Sequence, residues 1–428
     1  MTALAIGIKV FNDTEKATPL AVAAFFSALP SVISSSFAGV LAERWDRRKV
    51  MAISDAGQAI GTLLLLITFA TGTFEVWHLY VVALIQSIFG VFQGPAFGAA
   101  MTMLVPDEHR NRANAIRQLV GPMSGIIAPA LAGMLFVAIG ATGVMSFDLF
   151  TFAVAVIVVL SVHIPQPEQT AEGRAARGSI WKEIPTGLRF LKARRTLLAM
   201  VLYVSLLNFL LTGAMVLHTP YVMTITDSAA VLGALMSVTS LAAIIGGVIM
   251  GTWGGPRSRI HIIMPGIIVT GIGLSLYGVT RHPITMGLTL FLMMLPIPMI
   301  NASFMSIMQI KTPPDMQGRV FATLDQLSLL LTPLSLLIAG PLADKVFEPA
   351  VHRSGWDLVA PLVGQSAGSG MGMIMLINGS LVVLFSVLVY AMPAMRQMEA
   401  TLPDYAPVAA SEPETTPVGE VALAASSD

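Results

Sequence analysis

The chain has no cysteine, and only 11% of its 428 residues are charged. The first absence removes any disulfide framework, thiolate metal site or cysteine nucleophile. The second sets the chain apart from soluble domains, where about a quarter of residues carry charge, so water is not its main solvent. No G-x4-G-K-[ST] loop occurs, so ATP is not its fuel. The seven histidines are scattered, mostly at loops and helix ends. Without a cluster of His, Asp or Glu, or a nucleophile beside a base, the sequence reads as no enzyme and calls for no cofactor or metal. Lys plus Arg and Asp plus Glu are equal at 24 each, which gives no hint of a nucleic acid partner.

What the chain does have is apolar length. Of its residues 55% are hydrophobic, gathered into runs near the ~20 residues needed to cross a ~30 Å hydrocarbon core. They do not alternate as the strands of a membrane barrel would. Hydropathy predicts spans at 19–41, 48–70, 77–103, 114–139, 143–163, 197–221, 228–252, 261–280, 284–308, 319–343 and 370–393. Before them stands MTALAIGIKVFN, 12 residues that reach only about 18 Å as a helix. It has the look of the second half of a span, as a start codon placed too late or a real truncation would leave it.

With that half-span counted as the first crossing, 19 of the 24 Lys and Arg fall on one side and 5 on the other. The positive-inside rule places the richer side, which includes the C-terminus, in the cytoplasm. An internal repeat supports twelve crossings: PDEHRNRANAIRQL (Pro106 to Leu119) and PDMQGRVFATLDQL (Pro314 to Leu327) share P-D and Q-L, 208 residues apart. Parallel repeats of six helices produce such a pattern. The expected division is a helical bundle over 1–163, a linker over 164–196, a second bundle over 197–395 and a disordered tail over 396–428. In the linker, Trp181, Ile184, Leu188 and Leu191 recur at helical spacing against a basic face. That pattern suits either a helix on the inner leaflet or an ordinary solvated helix.

Between the second and third crossings runs Gly39-Val40-Leu41-Ala42-Glu43-Arg44-Trp45-Asp46-Arg47-Arg48-Lys49. It resembles the G-x-L-A-D-R-x-x-R-R signature of the major facilitator superfamily, with Glu in place of Asp at 43. LVPDEHRNRANAI, GLRFL at 187–191, GRV at 318–320 and FEPA at 347–350 are similar to the enterobactin-exporter and macrolide-efflux branch. Ala115, Ser124, Ala128, Pro129, Ala132 and Gly133 look like a small-residue version of the exporter pattern in the fifth helix, although small residues also simply let membrane helices approach. Two family features are absent. Gly90 stands where drug antiporters carry Arg before Gln93-Gly94, and the second-half signature has decayed to Gly251-Thr252-Trp253-Gly254-Gly255-Pro256-Arg257.

The resemblance implies an all-α membrane protein of two pseudo-symmetric six-helix bundles. It implies a secondary transporter in the bacterial inner membrane, acting as a monomer in the lipid bilayer. Export of a small-molecule substrate (drug, macrolide or siderophore-like) driven by protons is the first reading, and proton-coupled uptake is the alternative. A gate is expected from Gly39, Glu43, Arg44, Arg47 and Arg48, with Asp107 and Asp325 as carboxylate partners. In the family the central cavity is lined by helices 1, 4, 7 and 10, so Gln86, Gln93, Asn208, Asn301 and Met294 are the cavity candidates, with interhelical packing as the competing role for the amides. Ionisable residues inside spans are functional by default. Asp55 and Asp148 are therefore coupling candidates, with a structural ion pair the stronger expectation for Asp55 and Asp325.

Overall fold

A computed structural model describes residues 2–104, 110–162, 180–256, 258–313 and 316–405. Among these every regular element is a helix. The longer ones, in chain order, are α1 (Thr2–Thr14), α2 (Thr18–Arg44), α3 (Arg47–Ala70), α4 (Val76–Leu104), α5 (Arg110–Ser161), α6 (Ile180–Ala193), α7 (Arg195–Met215), α8 (His218–Thr226), α9 (Ala229–Trp253), α10 (Ile260–Val279), α11 (Pro283–Met294), α12 (Ile297–Ile310), α13 (Gln317–Leu329), α14 (Thr332–Leu342) and α15 (Ser369–Ala391). All eleven expected spans are occupied. Two of them are joined in α5, where Gly140 at φ 68° supplies the one non-helical residue of the turn. The seventh, tenth and eleventh crossings are each broken in mid-span, between α7 and α8, α11 and α12, and α13 and α14. Proline, which cannot donate to the carbonyl four residues back, stands at or just beyond each break: Pro220, Pro296 and Pro333.

Local chemistry sets the ends. Asp46 accepts the Arg48 and Lys49 amides and starts α3, Ser228 accepts the Val231 amide at α9, and Gly254 ends α9 in the left-handed region. The loops fall on two faces, named here by residues they carry, the Glu15 face and the Asp46 face. Large side chains such as Val137, Phe150, Ile157 and Ile284 are more than 60% exposed on the helix flanks, which is the surface a lipid solvent requires.

The two halves of the chain meet through α2 against α14 and α5 against α9. Both crossings depend on small residues. A Cβ on Gly340 would lie 2.6 Å from the Thr18 Cα, and one on Gly233 would lie 2.7 Å from the Pro129 carbonyl oxygen. The Ala128 to Gly133 stretch expected from the exporter pattern therefore contacts α9 across the halves.

Two expectations for the linker and tail are revised. On α6, Phe190 and Leu191 are buried against α7 and α13 rather than offered to lipid; Trp181 and Ile184 lie outside the described side chains. Residues 396–405, expected in a disordered tail, are docked instead. Met398 is fully buried, and the buried Lys311 ammonium donates to the carbonyls of Glu399 and Leu402 and to Asp404. Composition misled here because the holding groups belong to other parts of the chain.

Candidate functional site

Between the halves lies a cavity of about 700 Å³. Its described wall comes from α1, α2, α3, α4, the α7–α8 break and α9, and is apolar apart from Thr2, Ser27, Gln86 and Thr219; among the described residues no charged side chain lines it. A neighbouring space of about 410 Å³ shares Ala24, Ala28, Met215 and Val216 and extends to Thr332 and Leu336 at the start of α14. Discontinuous helices beside a midplane cavity are the usual construction of a transport site.

Of the five cavity candidates, Gln86 lines the wall. Its side chain crosses to α3 and donates to Thr62 Oγ1 at 3.1 Å. This is possible because Gly61 leaves room: a Cβ there would lie 3.0 Å from Gln86 Cγ. Gln93 turns instead to Asp55, Asn208 donates to the Ser328 carbonyl at 3.0 Å and ties α7 to α13, Met294 packs against an apolar cluster, and Asn301 is exposed.

Asp55 is 4% exposed, and its partner is an amide rather than a cation. Gln93 Nε2 donates to Asp55 Oδ1 at 2.5 Å, and Gln58 Nε2 donates to Gln93 Oε1 at 3.1 Å. Among the described residues no ion pair joins Asp55; the nearby basic loop was weighed by sequence distance, while the group opposite on α4 was not. Asp55, Gln58 and Thr62 stand at i, i+3 and i+7, one face of α3. That spacing was the signal that could have found Gln58 and Thr62. Asp148 accepts the Thr2 hydroxyl at 2.5 Å and the Thr2 amide at 3.3 Å, next to the cavity wall.

At the signature loop, Asp46 caps α3 and Arg47 is 9% exposed. The side chains of Gly39, Glu43 and Arg44, and the whole of Asp107, lie outside the described residues. Asp325 is exposed, and no ion pair joins it to Arg48 among the described residues.

A cavity whose described lining carries no charge, set between two packed halves and beside broken helices, can admit an apolar molecule and offer it a few hydrogen bonds. Comparison with known proteins agrees with that architecture. The chain is 27% identical over 356 residues to macrolide efflux protein A of Streptococcus pyogenes, covering 79% of this chain and 84% of that one. It is 21% identical over 375 residues to the multidrug efflux pump Tap of Mycolicibacterium fortuitum, covering 85% and 89%. A crystal structure of a bacterial homolog of the human lysosomal transporter Spinster, inward-facing and occupied, superposes with a TM-score of 0.68 at 12% identity over 93% of this chain and 92% of that one. A family profile described as the Major Facilitator Superfamily matches residues 1–328, and the chain belongs to that superfamily of membrane transporters.

Proposed function

We propose that this transporter is a proton-driven exporter of apolar or amphipathic small organic molecules, macrolides among them. The observation that carries the reading is the cavity of about 700 Å³ between the halves, whose described lining holds no charged side chain and four polar residues. An ionised sugar phosphate or amino acid would be desolvated there without a counter-charge, which is costly, whereas a large apolar body with a few oxygens is accommodated. The macrolide and multidrug efflux relatives support export.

Bundles over 1–163 and 197–395 rock about this cavity, with the Asp46 face in the cytoplasm of a bacterial inner membrane and the Glu15 face outside. The excess of Lys and Arg on the Asp46 face supports that orientation. The protein works as a monomer. Asp55 is the first choice for the proton-coupling group: it is a buried carboxylate inside a span whose partner among the described residues is a neutral amide, Gln93. Asp148, hydrogen-bonded to cavity residue Thr2, is the second.

The test is efflux from a drug-susceptible bacterium lacking its own pumps. Cells expressing the chain should retain several-fold less macrolide than cells with an empty vector, and a protonophore should abolish the difference. Equal retention in both strains would overturn the reading.

A further inference from the structure

Alternating access needs a contact that exists when one face is shut and is broken when that face opens. The described residues supply one on the Glu15 face. The eleventh crossing loosens after α14 into a π-helical turn, Ala343–Phe347, that carries Asp344. Its carboxylate reaches across to the other half of the molecule and caps the N-terminus of α2. Oδ1 accepts the Ala17 amide at 2.9 Å, and Oδ2 accepts the Thr18 amide at 2.7 Å and the Thr18 hydroxyl at 2.5 Å. An anion at this position satisfies amides that have no partner within the helix and meets the positive end of the helix dipole. One turn earlier, Gly340 lets α14 pass against Thr18 and Ala21 with no space for a side chain. Neither α2 nor the turn before it supplies a cap of its own: Lys16 and Ala17 precede Thr18, and Glu15 is held at φ 54°.

A second carboxylate on the same stretch gives an internal contrast. Glu348 accepts the Gly368 amide at 3.2 Å and the Met371 amide at 2.9 Å, so it caps α15, which belongs to its own half. Both carboxylates border one opening of about 630 Å³ on this face. Rocking the halves apart there would strip Asp344 from α2 while leaving Glu348 in place.

We infer that Asp344 is a positioning residue for transport, a latch that holds the Glu15 face shut by capping α2 from the opposite half. Opening that face exchanges the cap for water, so the latch shifts the balance of the two states by its differential energy alone. The inference rests on the alternating-access reading above.

The test is the rate at which a single cysteine at Ala24, a cavity residue on α2, reacts in intact cells with a membrane-impermeant thiol reagent. The naturally cysteine-free chain makes this clean. Asp344→Ala should raise that rate about 5- to 30-fold, the factor expected from losing an anion at a helix N-terminus. Asp344→Asn, which keeps an acceptor but not the charge, should give a smaller rise, and Glu348→Gln should leave the rate within about twofold of the parent. If Asp344→Ala does not accumulate in the membrane, Thr18→Val, which removes one of the three hydrogen bonds, should still raise the rate. Unchanged labelling in the Asp344 and Thr18 variants, or an equal rise from Glu348→Gln, would overturn the latch. The readout needs no transported compound, so failure of the export reading would leave it interpretable. A cysteine at Thr73, on the same face, reports separately whether that face is outside.

Discussion

Gln93 on α4 donates a 2.5 Å hydrogen bond to the buried carboxylate of Asp55 on α3, and among the described residues no cation shares it. If this carboxylate takes up the coupling proton, Asp55→Asn should preserve the contact while removing the charge. Exchange of substrate down its gradient should persist at near-parental rate, and accumulation driven by a pH gradient should fall at least tenfold. Counterflow and gradient-driven assays on one preparation separate the two. Loss of both would assign Asp55 a structural role.

The same hydrogen bond bears on stability. Gln93→Leu leaves a buried acceptor unsatisfied and should cost about 1–3 kcal/mol. Gln58→Leu, one bond further from the carboxylate, should cost less. Thermal denaturation in detergent, compared for the two variants, checks the order.

Gln86 is held by Thr62 at the cavity wall. Gln86→Leu should change apparent substrate affinity several-fold and leave melting temperature close to the parent. Gly61→Val should lower both expression and affinity, because its side chain would fall on Gln86 and Val82. An affinity unchanged by Gln86→Leu would remove this residue from the substrate path.

On the Asp46 face the segment after Arg396 closes over the ends of several helices. Glu399 accepts the Ile260 amide at 2.7 Å and the Ser258 hydroxyl at 3.2 Å, capping α10. The Tyr405 amide donates to the Ile310 carbonyl, and Arg194 donates to the Tyr405 hydroxyl at 2.6 Å. Glu399→Ala should cost roughly 1 kcal/mol as a lost cap. Ending the chain at Gln397 should cost more, since buried Met398 leaves the core as well. Asp404→Ala leaves the buried Lys311 ammonium with two carbonyl acceptors but without its counter-charge, and should cost about 1–3 kcal/mol. Melting curves of the three variants test that ranking.

The spans were legible because a lipid solvent demands about twenty apolar residues at each crossing, and their ends moved by only a few residues, as where 197–221 became two helices reaching Thr226. The breaks at Val216 and Leu331 were not legible. A proline stands just beyond each, Pro220 four residues after Val216 and Pro333 four after Leu329, but Pro30 lies inside the unbroken α2, so proline in the sequence does not by itself place a break. The site was readable in part. Gln86 stood out as a polar residue in a span, while Asp344 and Glu399 act as caps on helices 326 and 139 residues away in sequence, a relationship that only the folded chain displays.

The most direct test of the export reading is made in liposomes holding the purified protein with its Asp46 face outward and an acidic lumen. The account predicts that a macrolide added outside accumulates in the lumen several-fold above its outside concentration, and that a protonophore or Asp55→Asn abolishes this. No accumulation, or movement of the macrolide out of the acidic lumen with the protons, would contradict it.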